Sequence, residues 1–212
     1  MQWTLVVPLK PLARAKSRLA DTAADALRPG LALAFAQDTV AAALACPAVR
    51  GVAVVTDDAL AARELSALGA SVLPDEPGRG LNAALEFGAA KVRSALPNTP
   101  VAALNADLPA LRPAELARVL DAAAQFPRAF LPDAAGVGTT LLTASPGLEL
   151  RPAFGPDSRT QHHASGAQEL LLDSVDSVRQ DVDTGADLRA ALTLGVGPRT
   201  ATSTAGLLIS GQ

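Results

Sequence analysis

The chain has almost no cysteine and little aromatic character, and both shortages narrow what it can be. A single cysteine, Cys46, cannot close an internal disulfide. Its setting in AALACPAV is the apolar end of a helix, which predicts a buried, inert thiol rather than a nucleophile. Aromatic residues make up 3% of the 212 positions and tyrosine is missing, so the core must be packed from Ala, Leu and Val. No stretch approaches the roughly 18 apolar residues of a membrane span, because LALAFAQDTVAAALA is broken by Gln37 and Asp38. The N-terminus enters WTLVVPL without a basic leader and cleavage site, so a cytoplasmic location is expected. A net charge of −3 argues against nucleic acid as a general partner. There is no glycine-rich phosphate loop, and GRGLNAAL lacks the last glycine of a dinucleotide fingerprint. Gly78 and Gly80 therefore read as turn residues before a helix. His162 and His163 are adjacent and lack a third histidine, so they do not make a zinc site.

What is present is an alternation. Short Val-rich runs (TLVVPL, RGVAVVT, SVLPD, VAALNA, AFLPD, GTTLLTA) lie between Ala/Leu-rich stretches with apolar residues three and four apart. The pattern predicts helices over 25–45, 59–68, 81–96 and 112–125, and an α/β fold with a mostly parallel sheet. The length suits a single domain over 1–212. From PGLELRPAFGPDSRTQHHASGAQELL onward, Pro, Gly and Ser break regular structure, which reads as loops around a site. VRQDV then reads as a strand, and DTGADLRAALTLG as a helix start and short helix ending at Gly195. Residues 198–212 read as a loose tail with a strand at GLLIS.

Ligands of open α/β sheets bind at the carboxyl ends of strands, so polar residues just after strand candidates are the site candidates. After the first strand, PLKPLARAKSRL carries Lys10, Arg14, Lys16 and Arg18 with no acid before Asp21. Lys10, Arg14 and Arg18 would also suit a solvated helix stripe. Pro8 and Pro11 keep a helix from starting before Leu12, however, so Lys10 belongs to a loop suited to an anion. Thr56, Asp57 and Asp58 follow the second strand. Asp107 in NADLP and Asp181 and Asp183 in DVDT could converge on a metal, since Mg²⁺ is commonly held by one or two carboxylates together with substrate phosphates. Asp107 equally suits an Asx turn, and Asp183 an N-cap. FGPDS, residues 154–158, could aim peptide N–H groups and the Ser158 hydroxyl at an anion. Asn82 is a candidate for reading a base edge, beside the plainer reading that it sits at a helix start.

Taken in order, VVPLKPLARAKSRLA, NADLPAL, GTTLLTA, FGPDSRTQHHASGA and DVDTGADL resemble the guanylyltransferase family of deazaflavin coenzyme F-420 biosynthesis. That family is similar in turn to the molybdenum-cofactor guanylyltransferases. The resemblance implies a nucleotide-diphospho-sugar-transferase-like three-layer α/β/α sandwich. It implies GMP transfer from GTP to phosphoenolpyruvate, with 2-phospho-L-lactate or 3-phosphoglycerate as alternative acceptors, and delivery of the product to a downstream transferase. Carried over residue by residue, it assigns Thr140, Gly155 and Ser158 to the phosphorylated acid and Asp107 and Asp183 to Mg²⁺. Lys10, Lys16 and Arg18 fall to catalysis in the triphosphate loop. Gly185 departs from the wider superfamily, where Pro often follows the Thr. The chemistry agrees with the residues: the acceptor's phosphate is already anionic near neutral pH, so positioning and charge neutralisation replace a strong general base. A sugar- or molybdopterin-directed nucleotidyltransferase and a non-catalytic GTP-binding module are the competing readings.

Overall fold

The computed structural model describes residues 1–14 and 27–209. Strands β1 (Trp3–Pro8), β2 (Val49–Val55), β3 (Ser71–Leu73), β4 (Val101–Leu104), β5 (Arg128–Pro132), β6 (Thr139–Ala144) and β7 (Gln168–Glu169) form one sheet in the order β3-β2-β1-β4-β6-β5-β7. Every pair is parallel except those of β6, which runs antiparallel to β4 and β5. The chain steps outward from β1 through β2 to β3, then returns to place β4 on the other side of β1. The strand order therefore reverses between β1 and β4, and a crevice opens at their carboxyl ends.

Helices α1 (Arg28–Leu44), α2 (Ala59–Ala67), α3 (Leu81–Ala95) and α4 (Pro113–Ala123) form where the apolar spacing predicts them. Prolines stand in the first turns of α1 and α4, where the missing N–H costs no helical bond. Alternation along the strands divides the core. Leu5 and Val7 pack with Val54 and Leu104 under Ala36 and Val40 of α1, Leu65 of α2 and Leu116 and Leu120 of α4. Val6, between them, faces the opposite cluster with Val55, Ala103 and the α3 residues Ala84, Leu85 and Ala89. The result is the expected three-layer sandwich. Small residues set its dimensions: a Cβ at Gly88 would lie 2.5 Å from Val6 Cγ1 and 2.8 Å from Val55 Cγ2, so glycine lets α3 rest directly on β1 and β2. Cys46 is buried, and burial raises its thiol pKa, which keeps it protonated and unreactive. No helix among the described residues is long and apolar enough to cross a membrane.

The last third differs from the sequence expectation. The region read as loops contains helix α5 (Ser158–Ala164) and strand β7. VRQDV is not a strand: its first residues end the short helix α6 (Asp176–Arg179). Glu115 of α4 holds that turn by accepting from the Ser177 N–H at 2.9 Å and hydroxyl at 2.7 Å, a tertiary tie that overrides local strand preference. DTGADLRAALTLG does form helix α7 (Gly185–Leu194), with Gly195 next. The segment read as a loose tail with a strand at GLLIS forms helix α8 (Pro198–Ile209) instead. Its first turn is capped from α1, where Asp38 accepts the Thr200 N–H at 2.8 Å and pairs with Arg199 at 3.6 Å. Gly197 has no room for a Cβ, which would meet Asp38 at 2.4 Å.

Candidate active site

A cleft of about 700 Å³ opens at the β1/β4 switch point. Its floor is made by two strand ends and the segment before α7. Pro8 ends β1 and Leu9 and Lys10 follow it; Asn105, Ala106 and Asp107 follow β4; Asp181 and Asp183 come from the segment between α6 and α7. The far wall is the β5–β6 hairpin, with Asp133, Val137, Gly138 and Thr139, and the turn from Phe154 through Ser158. Of the residues expected in the site, the cleft brings together Lys10, Asp107, Asp183, Gly155 and Ser158. Thr140 stands apart. It is fully buried with its hydroxyl unpartnered, and it is the preceding Thr139 that lines the cleft. Lys16 and Arg18 lie outside the described residues.

The carboxylate end is fixed by peptide groups. Val182 N–H donates to the Asp107 carbonyl at 3.1 Å, which draws the DVDT segment onto the NADLP segment. Val182 itself is fully buried, while Asp181 and Asp183 on either side of it line the cleft. The Thr39 hydroxyl of α1 accepts the Leu108 N–H at 3.0 Å, and Gly197 N–H donates to the Pro109 carbonyl at 2.9 Å. Asn105 Nδ2 reaches Asp181 Oδ2 at 3.5 Å. The N-cap alternative for Asp183 is excluded. Thr184 caps α7 and forms a capping box with Asp187, whose carboxylate accepts the Thr184 N–H at 2.7 Å. The cationic segment is anchored at its start, where Leu12 N–H donates to Asp58 Oδ2 at 2.9 Å. Asp58 also N-caps α2, and N–H donation from Ala61, then from Leu12 and Leu60, outweighs desolvation and lowers its pKa. Asp57 accepts the Asp75 N–H at 2.9 Å and does not line the cleft.

At the opposite end the main chain at Ala153 and Phe154 is held by two neutral side chains. Asn82, a base-reading candidate in the sequence, instead commits both amide atoms to Phe154: its Oδ1 accepts the Phe154 N–H at 2.8 Å and its Nδ2 donates to the Phe154 carbonyl at 3.0 Å. His162 is buried between Phe130 and Phe154. Its Nε2 accepts the Ala153 N–H at 2.9 Å, and its Nδ1 lies 2.9 Å from Thr139 Oγ1. A backbone N–H can only donate, so Nε2 is unprotonated and the ring is the neutral Nδ1–H tautomer. Burial, with a smaller contribution from the nearby Arg128 cation, lowers its pKa to about 4. Arg128 donates to the Leu150, Arg151 and Ser165 carbonyls and the Ser165 hydroxyl. In the hairpin, Asp133 accepts the Val137 and Gly138 N–H groups, both at 2.9 Å. Arg159 ties the hairpin to β7 through the Gly136 carbonyl and a fork onto Glu169.

Sequence reading missed Thr39, Thr139 and Asp133. For Thr39 a signal existed, because a polar pair inside an otherwise apolar helix needs partners. Thr139 and Asp133 carried none, as a hairpin Thr or Asp is ordinary turn chemistry.

The parallel sheet with its single antiparallel strand and switch-point cleft defines a nucleotide-diphospho-sugar-transferase-like fold. A Desulfovibrio desulfuricans G20 protein described as a nucleotide-diphospho-sugar transferase superposes with a TM-score of 0.69 at 17% identity, over 99% of this chain and 95% of that one. A Mycobacterium tuberculosis H37Rv protein solved as a manganese complex gives 0.56 at 23% identity, over 91% of this chain and 99% of its own. Within this fold the chain belongs to the guanylyl transferase CofC like family, whose model matches residues 3–203. It is 80% identical, over the full length of both chains, to the phosphoenolpyruvate guanylyltransferase of Streptomyces coelicolor.

Proposed function

We propose that the chain transfers GMP from GTP to phosphoenolpyruvate in the cytoplasm. The products are enolpyruvoyl-2-diphospho-5'-guanosine and pyrophosphate, and the former passes to a downstream transferase of coenzyme F-420 biosynthesis. The observation that carries this reading is the convergence, in one cleft, of Lys10, Asp107, Asp181 and Asp183 with the turn holding Gly155 and Ser158. A phosphate oxygen of the acceptor attacks the α-phosphorus; the bond from that phosphorus to its bridging oxygen breaks, and pyrophosphate leaves with the electron pair.

The donor set suits a divalent cation such as Mg²⁺. Carboxylate oxygens are hard ligands, and the described residues contain no cluster of three or more His, Cys, Asp or Glu arranged to enclose a metal. Two protein carboxylates supplemented by substrate oxygens and water is how Mg²⁺ is ordinarily held. Asp107 and Asp183 would hold it, and the manganese complex of the mycobacterial neighbour supports a divalent ion in this fold. When bound, the ion neutralises phosphate charge and aligns the reacting oxygens. Lys10, with Lys16 and Arg18 of the same segment, offsets charge on the triphosphate and the departing pyrophosphate. Gly155 and Ser158 belong to the acceptor end, while Thr140 lies buried behind the cleft wall and takes no part in it.

The test mixes protein, GTP and Mg²⁺ with phosphoenolpyruvate, 2-phospho-L-lactate or 3-phosphoglycerate, measures pyrophosphate release, and identifies the product by mass spectrometry. Guanylylated phosphoenolpyruvate is expected. Turnover only with another acid would move the acceptor, and silence with all three from folded protein would refute guanylyl transfer to this class of acid.

A further inference from the structure

Helix α1 buries two adjacent polar residues, Asp38 and Thr39. Thr39 donates its hydroxyl proton to the Phe35 carbonyl at 2.8 Å, which leaves a lone pair to accept the Leu108 N–H at 3.0 Å. Asp38 works one step further out. Its carboxylate accepts the Thr200 N–H at 2.8 Å and the Arg199 N–H at 3.3 Å, and so holds the first turn of α8 against α1. Just before that turn, Gly197 N–H donates to the Pro109 carbonyl at 2.9 Å. The loop that carries Asp107 is therefore held at three successive residues: the Asp107 carbonyl by Val182, the Leu108 N–H by Thr39 and the Pro109 carbonyl by Gly197. A small apolar cluster of Leu31, Phe35, Ala110, Val182, Leu188 and Ala191 packs the same elements together.

We propose that Asp38 is a positioning residue for the metal-binding carboxylate of Asp107, acting through Gly197 and the start of α8. Burying a carboxylate in mid-helix is unfavourable unless hydrogen bonds compensate it, and here the compensating donors are the peptide groups that follow Gly197. Gly197 suits the arrangement because it has no side chain. A Cβ there would lie 2.4 Å from Asp38 Cγ and 2.7 Å from Asp38 Cβ, so only glycine lets this peptide reach both Asp38 and Pro109. The Arg199 guanidinium, 3.6 Å from Asp38, adds a cation to a bracket that the N–H groups already close. Asp38 does not line the cleft, so it acts on the chemistry through the backbone alone. If Asp38 lets go of α8, Gly197 drifts from the Pro109 carbonyl and the Asp107 loop loses one of its three ties. A ligand oxygen displaced by about 1 Å weakens both metal binding and alignment of the reacting oxygens. The turn with Gly155 and Ser158 has no hydrogen bond to α8 among the described residues, so the acceptor end should be unmoved.

The inference rests on the guanylyl-transfer reading and its metal assignment, and two measurements keep them apart. Mn²⁺ binding to the full chain without substrates is followed by water proton relaxation. Steady-state kinetics are then run with GTP, Mg²⁺ and whichever of the three acids the wild type uses. Asp38→Asn keeps the shape but sets an amide NH₂ against one of the two N–H donors, and Gly197→Ala presses the same bracket open from the other side. Each should raise the Mn²⁺ dissociation constant about tenfold and lower kcat by a similar factor, with the acceptor KM within about twofold of wild type. Arg199→Ala leaves both N–H donors in place and should stay near wild type. Thr204→Ala is the stability control: Thr204 is buried further along α8, and its hydroxyl bonds within that helix to the Thr200 and Ala201 carbonyls. It should lower Tm without moving the Mn²⁺ constant. Unchanged Mn²⁺ affinity in Asp38→Asn, or an equal loss in Thr204→Ala, would overturn the proposal and leave guanylyl transfer standing. Should Asp38→Asn fail to fold, Gly197→Ala decides the question. A wild type that binds Mn²⁺ but turns over none of the acids refutes the guanylyl-transfer reading, while the Mn²⁺ measurements still decide the role of Asp38. Full Mn²⁺ affinity in Asp107→Asn, or a wild type that takes up no Mn²⁺, removes the ligand that Asp38 positions and overturns the proposal with it.

Discussion

The two ends of the cleft are held in opposite ways. At the carboxylate end, Asp107, Asp181 and Asp183 are positioned by the peptide groups beside them, chiefly Val182 N–H on the Asp107 carbonyl and Leu108 N–H on Thr39. At the acceptor end the main chain of the turn is gripped by side chains, the Asn82 amide and the His162 imidazole, both uncharged. The contrast follows from what each end offers a ligand. Carboxylates work as cation ligands, so the segments carrying them are tied through their own peptide groups, to other backbone or to a hydroxyl, and the carboxylates stay in the cleft. Peptide N–H groups and hydroxyls work as anion donors, and Asn82 and His162 orient those of the turn without adding a negative charge beside them, the Asp133 carboxylate being on the facing hairpin.

The largest expected effect sharpens the carboxylate end. Asp107→Asn should lower turnover about a thousandfold, or about 4 kcal/mol in the barrier, with little change in Tm. Running Asp181→Asn and Asp183→Asn beside it decides the second ligand: the deeper loss, together with a raised Mg²⁺ requirement, should fall on Asp183. Lys16→Ala should cost about a hundredfold in turnover without unfolding the protein, and wild-type turnover would remove Lys16 from the triphosphate loop.

At the acceptor end the expected signature is in pH. The folded pKa of His162, about 4, lies below the ordinary value. The unfolded chain therefore binds more protons in this window, and stability is lost as pH falls from about 6.5 toward 4, by roughly 3 kcal/mol in all. Urea melts across that range should show the loss in wild type and a flatter profile in His162→Phe. Asp58, whose pKa is lowered, contributes stability that is present above its unfolded value and lost only in more acidic solution, as pH falls through its folded value.

A smaller effect, about 1–3 kcal/mol of stability, is expected for Thr39→Val, which leaves the buried Leu108 N–H without its acceptor. Because that peptide adjoins Asp107, turnover should fall more than the KM of the acceptor rises. Asn82→Ala should show the reverse pattern: about 1–2 kcal/mol of stability and a raised acceptor KM with turnover nearly kept. Matching kinetic patterns in these two variants would dissolve the distinction between the ends.

Legibility in the sequence follows the same division. The central strands and helices, the site at strand carboxyl ends and the candidates Lys10, Asp107, Asp183, Gly155 and Ser158 all came from local patterns, while the strand order that makes the switch point did not. A period-two or helical repeat, a proline or glycine turn, and a polar residue just past a strand are written within a few positions of one another. Asp181 and Asp183 reach the same cleft although VRQDV is no strand, because Val182 between them is buried and its N–H is tied to the Asp107 carbonyl.

What the fold alone decided are bonds between groups far apart in the chain. Thr184 rather than Asp183 caps α7, and two residues before it Val182 is tied to Asp107. Helix α8 exists where a loose tail was expected because Asp38, in the middle of α1, caps it across 162 positions. Asn82 and Phe154 are 72 positions apart, and the protonated nitrogen of His162 is set by its meeting with Ala153 in a buried apolar pocket. A local pattern can say that a residue is polar and near a turn. Which donor it meets is settled by the packing of the layers, since a buried polar group must take whatever partner the assembled fold brings within 3 Å or so.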